Sequence, residues 1–251
     1  CTSDEEKKLS HFEQGVAYFD RADYKSARIE LKNAVKIDPR YLAAHRKLAE
    51  TELKLGNAGE AFKEYIVVAE LDPDDTEVQL KLANLLMLAG ELKAAHDHTS
   101  YVLKKEADNV DALILLAGLQ AQEDRLSQAI ATYEKAITID QRKYPAYYCL
   151  SRVLADQGDY EKAELVLKKA FLAGPKALNP RLALYDFYLS KKDYAKAERE
   201  IKEAIALYPE NIDLLLTLGH FYFDRKRFLE AEAIYQKAVS IDPETIKPQM
   251  A

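Results

Sequence analysis

The chain of 251 residues is 48% apolar and 31% charged, enough apolar content to bury a sizeable core, so it reads as folded and not as a disordered tail. Eight glycines and eight prolines are too few for the turns of an all-β sandwich or barrel of this length, which favours helix. A formal net charge of -6 argues against nucleic acid as a partner, and no apolar run approaches the roughly 18 residues of a membrane-spanning helix.

Residues 1–7 are polar after Cys1 and read as an N-terminal tether. From residue 8 onward the sequence repeats every 34 residues without insertion. Pro39, Pro73, Pro175, Pro209 and Pro243 fall on one grid, whose two empty slots hold Ala107 and Gln141. The same grid carries Ala27, Ala61, Ala95, Ala129, Ala163, Ala197 and Ala231. Within a unit, apolar residues recur at helical spacing in two runs, as in Leu150, Val153, Leu154 and then Tyr160, Ala163, Leu167, Ala170. A break such as Gln157-Gly158-Asp159 separates the runs, so each unit predicts a helical hairpin. Seven are expected, over 8–41, 42–75, 76–109, 110–143, 144–177, 178–211 and 212–245. The prolines mark the exit of each second helix, because proline cannot continue the backbone ladder. Residues 246–251 read as the start of a further unit or a truncated end. On that reading the last hairpin is uncapped, with Phe228, Ala231, Tyr235 and Ala238 exposed and inviting self-association.

A small residue stands at the eighth position (Gly15, Ala49, Ala83, Ala117, Ser151, Gly219), alanine at the twentieth, and a small or β-branched residue at the twenty-seventh (Ala34, Val68, Val102, Ala136, Ala170, Ala204, Ala238). With proline at the thirty-second, this pattern resembles the tetratricopeptide repeat. The physical sense of the small positions is close approach of two helices, with larger neighbours interdigitating around them. Tyr185 departs from it, bulky where its counterparts are small, and predicts looser or shifted packing in the sixth unit. The resemblance implies an all-α, right-handed superhelical solenoid of about seven hairpins. In that family the first helix of each hairpin lines the concave side, and its second, fifth, ninth, twelfth and thirteenth positions face the groove.

Those positions hold acidic Asp20, Glu50, Glu77, Asp111, Asp156, Asp186, Asp213 and Asp224 against basic Arg46, Lys54 and Arg152. One sign of charge along a concave wall attracts ligands of the other sign. The expected partner is a neutral-to-basic segment of another protein. Apolar anchors for it are Phe12, Phe19, Leu53, Leu80, Met87, Tyr148, Leu189 and Phe223, with Asn84 and His220 at further groove positions. No three consecutive units supply the Lys, Asn and Arg set with which chaperone-tail receptors of this family clamp a C-terminal carboxylate. The groove aromatics Phe12, Phe19, Tyr148 and Phe223 are dispersed, which disfavours a small-molecule or glycan pocket.

Neither a Gly-rich phosphate loop nor a His-Glu-x-x-His or serine-elbow motif occurs, and the two cysteines, Cys1 and Cys149, are far apart in sequence. No enzyme activity, cofactor or metal is expected. His11 and His45 share the fourth position of adjacent units, a packing position. His96 and His98 point about 200° apart around a helix and cannot share one metal. Cys149 reads as a small buried thiol.

Cys1 followed by a polar stretch is similar to the start of a mature bacterial lipoprotein, which implies lipid attachment at Cys1. Thr2, not aspartate, then points to an outer-membrane or surface site in a bacterial cell envelope, the alternative being the cytoplasm. Residues 24–34 together with Cys1 are similar to tetratricopeptide lipoproteins of exopolysaccharide systems. The expectation is a lipid-anchored, non-enzymatic protein-binding scaffold. The alternative is a recruiting or regulatory arm of a larger enzyme, such as a glycosyltransferase, whose catalytic domain lies outside this chain.

Overall fold

The computed structural model describes residues 3–242, and the described residues form fourteen α-helices and no strand. The chain divides into two compact units, residues 1–125 and 126–251. In the first, α1 (Asp4–Asp20) packs on α2 (Tyr24–Ile37), α3 (Leu42–Lys54) on α4 (Ala58–Leu71), and α5 (Thr76–Leu88) on α6 (Leu92–Lys105), followed by α7 (Val110–Gln122). The second opens with α8 (Leu126–Ile139). Three hairpins follow it: α9 (Tyr144–Asp156) with α10 (Tyr160–Ala173), α11 (Leu178–Ser190) with α12 (Tyr194–Leu207), and α13 (Ile212–Asp224) with α14 (Phe228–Ile241). The expected fourth hairpin is shared out, α7 to the first unit and α8 to the second. Residues 4–7, expected as a tether, form the first turn of α1: Ser3 and Glu6 make a reciprocal capping box that starts the helix there. Cys1 and residues 246–251 lie outside the described residues.

Local chemistry starts and stops these helices at the repeat period. Side chains of Asp23, Asp75, Asn109, Asp159, Asp193 and Asn211 accept the backbone N–H three residues on and satisfy donors that a helix start leaves free. Every turn from first to second helix passes through a left-handed residue at the fifteenth position: Ala22, Gly56, Gly90, Asp124, Gly158, Lys192 and Lys226. Glycine takes this conformation without steric cost in three of them. Pro39, Pro73, Pro175 and Pro209 each stand two residues past a second helix, as the grid predicts.

The small residues sit at the helix contacts. All seven grid alanines, and all seven residues at the twenty-seventh position, are at most 2% exposed. A Cβ on Gly15 would come within 2.7 Å of the Leu31 side chain, and one on Gly219 would collide with the Tyr235 ring. Tyr185 does not loosen the sixth hairpin. It is buried in one cluster with Ile201 and Leu184, its ring centroid 6.3 Å from that of Phe221. The seventh hairpin sets glycine against Tyr235 at the corresponding place, so bulk has moved from one helix to the other. On α14, Ala231 and Ala238 are buried and Tyr235 is half-buried, and only Phe228 of the four residues expected in the open is exposed.

Each first helix also packs on the preceding second helix, and first helices touch one another in the pairs α1 with α3, α5 with α7, and α9 with α11. Among the described residues no second helix touches the next second helix within either unit. Crowding of the first helices and separation of the second ones turns the first helices toward the inner side of each unit.

Candidate protein-docking surface

All twenty expected groove residues lie on first helices, and none is buried. In the first unit, α1 carries Phe12, Phe19 and Asp20; α3 carries Arg46, Glu50 and Leu53; α5 carries Glu77, Leu80, Asn84 and Met87; and α7 carries Asp111. In the second, α9 carries Tyr148, Arg152 and Asp156; α11 carries Asp186 and Leu189; and α13 carries Asp213, His220, Phe223 and Asp224.

The apolar members divide into two kinds. Phe12 packs on the core of Ala27, Leu31 and Leu48, its ring centroid 5.1 Å from Tyr41. Phe19 meets Tyr24 edge-on at 5.4 Å and carries Lys47 Nζ 4.4 Å above its face. Leu189 packs against the core of the second unit. These three act mainly in packing. Leu53, Tyr148 and Phe223 are exposed and free to meet a partner; Phe223 is supported edge-on by Phe228 at 5.5 Å. His220 is exposed with its ring 5.8 Å from Tyr235.

The charges divide as well. Arg46 is engaged by Asp75 and lies 4.0 Å from Glu77, while Glu50 accepts from Lys47 Nζ at 2.6 Å. Asp20, Asp156, Asp186, Asp213 and Asp224 make no ion pair among the described residues. Four of these five belong to the second unit, where Arg152 is the one basic counterpart. The anionic field is therefore strongest along α9, α11 and α13.

Part of that face is concave. A recess of about 290 Å³ opens between α9, α10 and α11, lined by Tyr144, Tyr147, Tyr148, Asn179, Leu182 and Asp186 among others. Gly174 makes room for Tyr144, one of the lining rings: a Cβ there would collide with the Tyr144 hydroxyl, and the corresponding places in other repeats hold Asp38, Asp72, Glu106 or Tyr208. Asp186 is exposed at the recess, and partial desolvation beside its walls pushes the carboxyl above its ordinary value. The sequence placed Tyr148 and Asp186 at groove positions but did not bring Tyr144 and Tyr147 to them. Those two stand at the first and fourth positions of their unit, outside the five groove positions; three tyrosines within one helical turn and a half was the signal available.

The histidines fill structural roles. His11 Nδ1 lies 2.6 Å from Glu30 and His45 Nδ1 2.6 Å from Glu64, so these two rings are hydrogen-bonded across their hairpins and not simply packed. His98 Nδ1 donates to Gln79 Oε1 at 2.6 Å, and Arg125 Nη2 donates to His96 Nε2 at 3.0 Å. Cys149 is half-buried beside Tyr133, whose phenol is pushed up first by burial and then by the thiol. Among the described residues no three His, Cys, Asp or Glu side chains gather as a metal site, and no helix is long and apolar enough to cross a membrane.

Comparison with known proteins agrees with this architecture. The tetratricopeptide repeat family matches residues 18–85, 121–186 and 188–251, and a second family of the same description matches 80–148. The human protein O-mannosyl-transferase TMTC1 is 26% identical over 116 residues, 46% of this chain and 13% of that protein, so the chain spans about an eighth of its length. Among solved structures, a tetratricopeptide repeat protein from Parabacteroides merdae superposes with a TM-score of 0.64 at 19% identity, covering 96% of each chain. PilW, a type IV pilus biogenesis factor, also gives 0.64, at 16% identity over 80% of this chain and 94% of its own. With its 34-residue hairpins, buried grid alanines and family match over most of its length, the chain belongs to the tetratricopeptide-repeat proteins.

Proposed function

We propose that this protein is a non-enzymatic docking scaffold that holds a neutral-to-basic segment of another protein on the first helices of its hairpins, chiefly along α9, α11 and α13. The observation that carries the reading is the set of aspartates without ion pairs among the described residues, Asp156, Asp186, Asp213 and Asp224, beside the exposed rings of Tyr148 and Phe223. Exposed aromatics supply contact area at small entropic cost, and the carboxylates supply the sign of the partner and speed its encounter. Random peptides displayed on phage and selected on the chain test this. Enriched sequences should be net basic, and their binding should weaken between low salt and about 0.5 M salt. It should weaken again in the Asp156→Asn, Asp213→Asn, Asp224→Asn triple variant. Enrichment of acidic or uncharged sequences, or binding indifferent to salt, refutes the reading.

A second reading is favoured by one observation, the likeness to a segment amounting to 13% of an O-mannosyl-transferase. On it, the array is the recruiting arm of a larger enzyme that acts on proteins or glycans. Sequencing the complete gene separates the two: a glycosyltransferase domain in the same reading frame supports the arm.

A further inference from the structure

The recess between α9, α10 and α11 has features that a general docking face does not require. Its volume of about 290 Å³ falls just below the roughly 300–1,000 Å³ of small-molecule sites, leaving room for one long side chain. Asp186 is the one charged residue among those lining it, and Asn179 supplies an amide. The carboxylate is exposed at the recess and has no ion-pair partner among the described residues, and partial desolvation beside the walls raises its pKa. An unpaired, partly desolvated carboxylate gains more from an incoming cation than one already paired. Tyr147 is buried and holds one wall in place, while Tyr148 is exposed at the rim. Tyrosine faces attract a cation through their quadrupole, and with Leu182 they cover an aliphatic stem.

We infer that this recess is the pocket for a single arginine or lysine side chain of the docked polypeptide. The stem lies against Tyr144, Tyr148 and Leu182, and the charged head meets Asp186, with the Asn179 amide oxygen as a second acceptor. The inference rests on the docking function proposed above and deepens it by naming the residue class that the partner must present and where it enters. A neutral polar ligand such as a sugar would also stack on tyrosine but would not depend on the Asp186 charge.

An NMR titration of the full chain with three small probes decides it: N-acetyl-arginine methylamide, N-acetyl-lysine methylamide and the uncharged isostere N-acetyl-citrulline methylamide. A basic probe should shift resonances of Tyr148 and Asn179 saturably, and the citrulline probe should leave them in place. Asp186→Asn should weaken the basic probe about tenfold, the loss expected of one charge-assisted contact. Tyr148→Ala, at an exposed ring, should weaken it with the rest of the spectrum unchanged. Equal shifts with citrulline, undiminished binding by Asp186→Asn, or no saturable shift with any probe would each overturn the assignment. Because the probes are single residues, they fail independently of the phage selection. Basic peptides still bound through Asp156, Asp213 and Asp224 would keep the docking reading while removing this pocket.

Discussion

His45 and Glu64 face each other across the second hairpin, Nδ1 to Oε2 at 2.6 Å, while the other ring nitrogen, Nε2, lies 3.1 Å from the Pro39 carbonyl. Acceptors at both nitrogens favour the imidazolium form, which can donate from each. The Glu64 hydrogen bond raises its pKa; burial pulls the other way and loses, and the Pro39 carbonyl and the Asp38 charge add to the rise. The same relationship, nineteen residues apart, recurs as His11 with Glu30, as Gln79 with His98, and as Arg181 with Glu200. In the third hairpin the pair is neutral: Gln79 Nε2 donates to the Pro73 carbonyl at 3.3 Å, and burial lowers the His98 pKa.

A pH dependence follows from the second hairpin. Because the folded pKa of His45 is raised, its stabilisation is complete below the ordinary histidine value of about 6.5 and is lost as pH rises through the folded value. Urea unfolding of the native chain should show a loss of about 1 kcal/mol on that alkaline side. The His45→Gln, Glu64→His double variant, which installs the neutral pair of the third hairpin, should lack this decline. Parallel profiles for the two proteins would remove the imidazolium assignment.

Arg181 meets the same need with a different chemistry. Its guanidinium donates to Glu200 at 2.9 Å, also contacts Glu203, and lies 4.7 Å from the Phe171 ring centroid. Both Arg181 and Glu200 are buried. Burial pushes the Glu200 carboxyl up and the Arg181 charge opposes it. Arg181→Leu should therefore cost about 3–5 kcal/mol, because it leaves a buried carboxylate without its counter-charge. Adding Glu200→Ile should recover most of that loss, since the seventh hairpin holds Leu215 and Ile234 at the same two places. A guanidinium chloride double-mutant cycle reads both values, and a double variant as unstable as the single one would contradict this account.

The hairpins were legible because the 34-residue period forces the same contact to recur: one alanine at one depth can be chance, seven cannot. The polar pairs were not legible. His11 and His45 stand at a packing position, and nothing in a period alone says that Glu30 and Glu64 lie across the hairpin from them. That requires the register of one helix on the other, which the sequence could have betrayed only through Gln79 with His98 and Arg181 with Glu200 at the same separation. The recess escaped for a related reason. The five inner positions describe what points away from a hairpin, whereas Tyr144 and Tyr147 reach the recess from the start of α9, and Tyr144 fits there because Gly174 lacks a side chain.

The grid alanines act as spacers, a role that Ala163 tests. It is fully buried in α10. Leucine there adds bulk to a contact with no free volume and should cost about 1–3 kcal/mol, outweighing the small propensity difference between two good helix formers. A chemical denaturation midpoint unchanged within error for Ala163→Leu would show that the hairpin does not depend on this close approach.

Successive repeats are also joined by carboxylates at the twenty-first position. Tyr188 donates to Glu164 and Tyr222 to Glu198, both at 2.9 Å and both 24 residues along the chain. Glu198 is the better supplied of the two, with Arg227 Nη1 and Lys202 Nζ each at 2.6 Å. Burial resists its charge, but the Arg227, Lys202 and Tyr222 contacts outweigh that and bring the carboxyl down to about 2. A lowered folded pKa stabilises above the ordinary glutamate range, near 4.5, and that contribution is lost as pH falls from there toward about 2. Glu198→Gln should thus cost about 2 kcal/mol near neutral pH, and the gap to the native chain should close on acidification. Denaturant unfolding of both proteins across pH 7 to about 2.5 measures the gap directly. A gap that stays constant would mean that Glu198 joins the sixth and seventh hairpins by shape and not by charge.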